Sequence, residues 1–126
     1  MKSTILIIED NEQNMYMLSY LLEGSNYNVL KAFNGNDGID LALKNNPKII
    51  LVDIQLPDMD GYEICLRLRI SDLPKQTTII AVTSYAMAGD REKAINAGAD
   101  GYIEKPINTD TFVTEMETIY AKKLKY

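Results

Sequence analysis

The chain contains no histidine among its 126 residues. That absence excludes serine–histidine hydrolase triads, histidine zinc sites and histidine proton relays, so any histidine chemistry has to come from a partner. Cysteine is almost as scarce. The single Cys65 cannot close an internal disulfide, which fits a reducing compartment, and its place in an apolar helical pattern predicts a buried thiol. No apolar run exceeds four residues, against about 18 for a membrane span, and no charged-then-apolar leader opens the sequence. A cytoplasmic protein without membrane contact is expected. Lysine and arginine are outnumbered by carboxylates, 13 to 18, for a net charge of −5. The only basic block is the terminal KKLK, which suits the negative end of a last helix. Direct nucleic-acid binding is therefore not expected.

What is present suffices for a core. Apolar residues make up 46% of the chain and charged residues 25%, as in an ordinary domain, here expected to span residues 1–126. Three short β-branched runs, Ile5–Ile8, Ile49–Val52 and Ile79–Val82, read as strands covered on both faces. Tyr27–Phe33 mixes polar and apolar residues like an edge strand, and Gly101–Ile103 makes a fifth. Helical patterns alternate with them. The first places Met15, Leu18 and Leu22 on one face and stops at Gly24. The second ends near Pro47, the third turns Ile64, Cys65 and Leu68 inward, and the fourth closes at Gly98. The fifth carries Phe112, Met116, Ile119 and Tyr120 as its stripe, with Asn108 as N-cap. Five strand–helix alternations predict an α/β fold, a doubly wound five-stranded parallel sheet of order 2-1-3-4-5.

Each run ends on chemistry. The first leads into Glu9 and Asp10, the second into Asp53, the third into Thr83, and the fifth into Glu104, Lys105 and Pro106. In an open parallel sheet these C-terminal strand ends share one edge, where ligands bind beside the topological switch point. A single charge there would simply face water. Three clustered acids, however, raise one another's pKa unless a cation neutralises them. A hard divalent ion such as Mg²⁺ suits such oxygen donors, and an opposed lysine suits a phosphoryl group.

With IIEDN, LVDIQLPDMDG, AVTSYA and GYIEKP in place, the sequence resembles the receiver domain of bacterial two-component response regulators, with a flavodoxin/CheY-like fold. The resemblance covers essentially the full length. Among single-domain members it is most similar to the DivK type, through EDNEQN, DIQLPDMDG and KPI.

The resemblance implies that Asp53 accepts a phosphoryl group from a partner's phosphohistidine. Asp10 and Asp53 would bind Mg²⁺ (or Mn²⁺ in its place) with the backbone carbonyl of Gln55, and Glu9 would act through metal-bound water. Lys105 would pair with the acceptor carboxylate before transfer and with the phosphoryl group after it. Pro106 would follow a cis peptide, and Thr83 and Tyr102 would form the switch. The output surface would be the fourth helix, fifth strand and fifth helix. The partners implied are a sensor histidine kinase or histidine phosphotransfer protein, with Asn14 and Met15 as docking candidates (a core place being the alternative for Met15), and a downstream protein target. The protein would be a monomer or weak dimer and a stoichiometric phosphoacceptor, not an enzyme, that catalyses its own phosphorylation and slow dephosphorylation. A bulky Tyr85 beside the site would shield the acyl phosphate.

Other readings stay open at this stage. The chain could be a receiver piece of a hybrid kinase or larger regulator, or an interaction module that is never phosphorylated. An aspartate-nucleophile phosphohydrolase is disfavoured by Gln55, where a second acid is wanted. A flavin-binding relative is disfavoured by the acidic loop after the first strand.

Overall fold

The computed structural model describes residues 2–84 and 89–125. Strands β1 (Thr4–Ile8), β2 (Asn28–Ala32), β3 (Ile49–Asp53), β4 (Thr78–Thr83) and β5 (Gly101–Glu104) alternate with helices. The helices are α1 (Glu12–Gly24), α2 (Gly35–Asn45), α3 (Gly61–Ile70), α4 (Asp90–Asn96) and α5 (Phe112–Lys125). All strand pairs are parallel, in the order β2-β1-β3-β4-β5. This is the predicted doubly wound sheet.

Strand alternation divides the core in two. Leu6, Ile8, Ile50, Val52, Ile79 and Ala81 point to one side, where α2, α3 and α4 bring Ala42, Ile64, Cys65, Leu68 and Ala94. Ile5, Ile7, Ile49, Leu51, Ile80 and Val82 point to the other, against Met15, Leu18 and Leu22 of α1 and Phe112 and Met116 of α5. A strand buried on both faces has no use for polar alternation, which is why these runs are continuous in sequence. Each fully buried leucine or isoleucine stabilises the fold by about 1.5–3 kcal/mol. Edge strand β2, by contrast, keeps Asn28 and Lys31 exposed.

Helix α1 ends at Gly24, as the sequence reading has it, and one other helix end departs from that reading. The left-handed residue after α1 is Asn26, with φ of 72°, and the amides of Tyr27 and Asn26 donate to the carbonyls of Leu22 and Glu23. That is the bond pattern of a Schellman ending, and asparagine tolerates the left-handed conformation. Asn108 does not cap α5 directly: its side chain accepts from the Asp110 amide, shaping a lead-in turn before Phe112. Between α3 and α4, the Lys93 ammonium lies 4.5 Å from the centre of the Tyr62 ring.

Candidate functional site

Sheet order places the site. The direction of winding reverses between β1 and β3, so their C-terminal ends flank the crevice of the topological switch point. Ile8 pairs with Val52, which sets Glu9 level with Asp53. Asp53 pairs with Val82, so Thr83 lies one step beyond, and Lys105 follows Glu104, the partner of Thr83. The Lys105 amide donates to the Thr83 carbonyl at 2.8 Å, tying the last two strand ends together.

The side chains then converge. Carboxylate oxygens of Glu9, Asp10 and Asp53 all lie within 4.8 Å of one another. Lys105 Nζ is 2.8 Å from Glu9 Oε1 and 3.5 Å from Asp53 Oδ2. The pairing of Lys105 with Asp53 that the resemblance implies is present, and Glu9 is a second and shorter partner. The reason is geometric: the longer glutamate side chain reaches the ammonium, while Asp53 Oδ1 accepts from the Gln55 amide at 3.1 Å. Glu9 is also braced by the Asn11 amide at 3.2 Å. Asp10 is exposed, and Thr83 is fully buried at the end of β4. The Lys105–Pro106 peptide is cis.

This crowding is costly to charge. Asp53 is only 3% exposed. Burial first, and the adjoining Glu9 carboxylate second, push its pKa up to about 7 against the Gln55 amide and the Lys105 charge. Burial alone would raise Glu9 too, but the Lys105 hydrogen bond, Asp53 and the Asn11 amide together hold it below the ordinary range. One acid of the pair keeps its charge and the other is pressed toward neutrality. Additional positive charge would relieve that pressure, and the oxygen-only donor set fits a hard divalent cation.

The loop after Asp53 is clamped from behind. Gln55 bridges to Asp60, the Gly61 amide donates to the Ile54 carbonyl, and Asp60 caps α3 through the Tyr62 amide. A β-carbon at Gly61 would press on Ile54 Cα and stand 2.7 Å from the Asp53 carbonyl. Only glycine lets α3 start this close to the end of β3. Asp58 reaches sideways, accepting from the Gly35 and Asn36 amides at the N-terminus of α2.

The surroundings decide between the two readings of Met15. Met15 is 2% exposed and belongs to the core, because its position on α1 faces the sheet. Asn14 remains at the surface, lining a 580 Å³ groove with Met17, Ser84, Pro106 and Ile107 beside Lys105. Sequence reading had passed over Met17 and Ile107; their signal was spacing, three residues from Asn14 and next to Pro106. Tyr102 is half-buried against the α2–α3–α4 side of the core. Tyr85 lies outside the described residues.

Comparison with known proteins agrees with this geometry. The family profile described as response regulator receiver domain matches residues 5–117. The polar-differentiation response regulator DivK of Brucella anthropi is 38% identical over 118 residues, covering 94% of this chain and 96% of that protein. A CheY-like receiver domain protein from Methanospirillum hungatei superposes with a TM-score of 0.89 at 29% identity, covering 99% and 98% of the two chains. The receiver domain of a Pseudomonas aeruginosa sensor histidine kinase, with a magnesium ion in its active-site cleft, gives a TM-score of 0.86 at 28% identity, over 96% and 99%. A parallel sheet that gathers three carboxylates and a lysine at its switch point, and a family match across nearly all of that sheet, lead to one conclusion: this chain belongs to the response regulator receiver domains of two-component signalling.

Proposed function

We propose that Asp53 is the phosphoacceptor, and that the chain acts as one receiver unit across residues 1–126. A carboxylate oxygen of Asp53 attacks the phosphorus of a phosphohistidine on a sensor kinase or phosphotransfer protein. The new O–P bond forms as the P–N bond breaks, and the imidazole leaves with its electron pair. The contact of Asp53 with Lys105 inside the acid cluster carries this reading. Phosphoryl transfer needs a positioned nucleophile and fixed positive charge around the phosphoryl oxygens. Lys105 supplies that charge, moving from Glu9 and Asp53 to the incoming group.

Asp10, Asp53 and the Gln55 carbonyl would hold Mg²⁺, with Glu9 acting through a bound water. When bound, that ion neutralises charge on the phosphoryl oxygens. The partner's helix would approach along the groove of Asn14 and Met17, which opens beside Lys105. After transfer, the Thr83 hydroxyl donates to a phosphoryl oxygen and Tyr102 shifts inward, favouring the second of two arrangements. The protein is consumed stoichiometrically and resets by slow hydrolysis.

Incubation with acetyl phosphate and Mg²⁺ tests this by intact-mass measurement. One phosphoryl group is expected on the wild-type chain and none on Asp53→Asn or in EDTA. Persistent labelling of Asp53→Asn would overturn the assignment.

A further inference from the structure

The tip of the loop between β3 and α3, Leu56–Met59, carries Asp58 to the start of another helix. One Asp58 oxygen accepts from the Gly35 amide at 2.9 Å and the other from the Asn36 amide at 3.2 Å, 23 and 22 residues away. These are two of the four amides that the first turn of α2 leaves without helical partners. Asn34, the N-cap, takes only the Asp37 amide with its side chain, at 2.9 Å. Met59 adds a close approach from the same loop: a β-carbon at Gly35 would stand 3.1 Å from Met59 Cβ. Two successive loop residues are thus seated on one helical turn. Among the described residues, no other hydrogen bond ties the tip to the rest of the fold.

We propose that Asp58 is a positioning residue for the metal site: by holding the loop tip on α2, it fixes the direction of the Gln55 carbonyl. The proposal rests on the reading of that carbonyl as a Mg²⁺ ligand. Gln55 stands at the base of the loop, its amide on Asp53 Oδ1 and its backbone bridged to Asp60. A carbonyl ligand has no rotamer of its own, so the backbone alone aims it. Mg²⁺ tolerates little departure from octahedral geometry, and freedom in the loop therefore lowers affinity. Asp58 is not itself a ligand, since both of its oxygens are held by α2 and it lies outside the cluster of Glu9, Asp10 and Asp53. Groups that orient a metal ligand from behind change affinity by about 10–100-fold when removed. The lower end applies here, because Asp58 is exposed and water replaces part of what it supplies.

Amide NMR on the full chain, titrated with magnesium chloride well below the melting temperature, tests this. Wild type should show saturable shifts at Asp10, Asp53 and Gln55. On Asp58→Ala the dissociation constant for Mg²⁺ should rise about tenfold. In EDTA, the amides of residues 55–60 in that variant should exchange with solvent faster than in wild type, while those of β1 and β3 stay protected. Asn34→Ala is the control: it removes the other cap of α2, so it should lower the melting temperature and leave the Mg²⁺ constant unchanged. An equal loss of affinity in both variants would show that Asp58 acts only through helix stability, and would overturn the proposal. So would an unchanged constant on Asp58→Ala, or a weaker one with unaltered loop exchange, which would assign the effect to charge alone. Absence of Mg²⁺ shifts in wild type would overturn the reading of the metal site itself, and this proposal with it.

Discussion

Asp53 is held where a carboxylate is least stable as an anion, buried and beside another acid. Its charge therefore works against folding in the absence of a cation. In EDTA, Asp53→Asn should melt about 3–5 °C above wild type, the equivalent of roughly 1 kcal/mol for a chain of this size. Mg²⁺ should narrow the gap by stabilising wild type alone, and calorimetry in both conditions checks this. Residue identities at the site were legible in sequence because each charge ends an apolar run. Which side chain meets which was not. The 2.8 Å contact of Lys105 with Glu9 joins residues 96 apart, and side-chain length decided it. Met15 shows the converse, since an i, i+3 pattern cannot separate a docking face from a core face until the helix is placed on its sheet.

At the scale of elements, the sheet and its helices were legible and their joints were not. The last residue of α1, Gly24, was legible, but the left-handed turn that follows at Asn26 was not, because asparagine signals that conformation less strongly than glycine. The link from Asp58 to α2 was also invisible, being a contact across 23 residues. It has a pH signature. The Gly35 amide, with a lesser contribution from the Asn36 amide, holds the Asp58 pKa below its ordinary 3.8 against the opposing effect of desolvation. A depressed carboxylate contributes stability that is complete above the unfolded value and lost as pH falls through the folded one. Asp58→Ala should therefore lower the melting temperature at pH 7, and the difference should vanish well below pH 3.8. A difference that persists at pH 2 would show that the carboxylate's charge is not what ties the loop to α2.

Across the whole molecule, the two rims of the sheet do opposite things. At the C-terminal rim, like charges crowd together. At the N-terminal rim, Asp100 accepts from Arg69, Lys123 and the Ile79 amide, and Arg69 also donates to the Gly98 and Thr77 carbonyls. This one carboxylate joins α3, β4 and α5 at the start of β5. Asp100→Ala would strand two cations and should cost about 2–3 kcal/mol, read as a lower urea midpoint with an unchanged slope. Below its melting temperature the variant should still take up a phosphoryl group at Asp53. Labelling that fails while the far-ultraviolet spectrum is native would show the rims to be coupled.

The glycine at position 61 carries this separation further. By letting a helix begin against the Asp53 carbonyl, it seats the end of β3 on the scaffold through a backbone contact that carries no charge of its own. Such a mount leaves the acidic rim free to be re-chartered, with new specificities grafted onto it while the foundation beneath stays untouched.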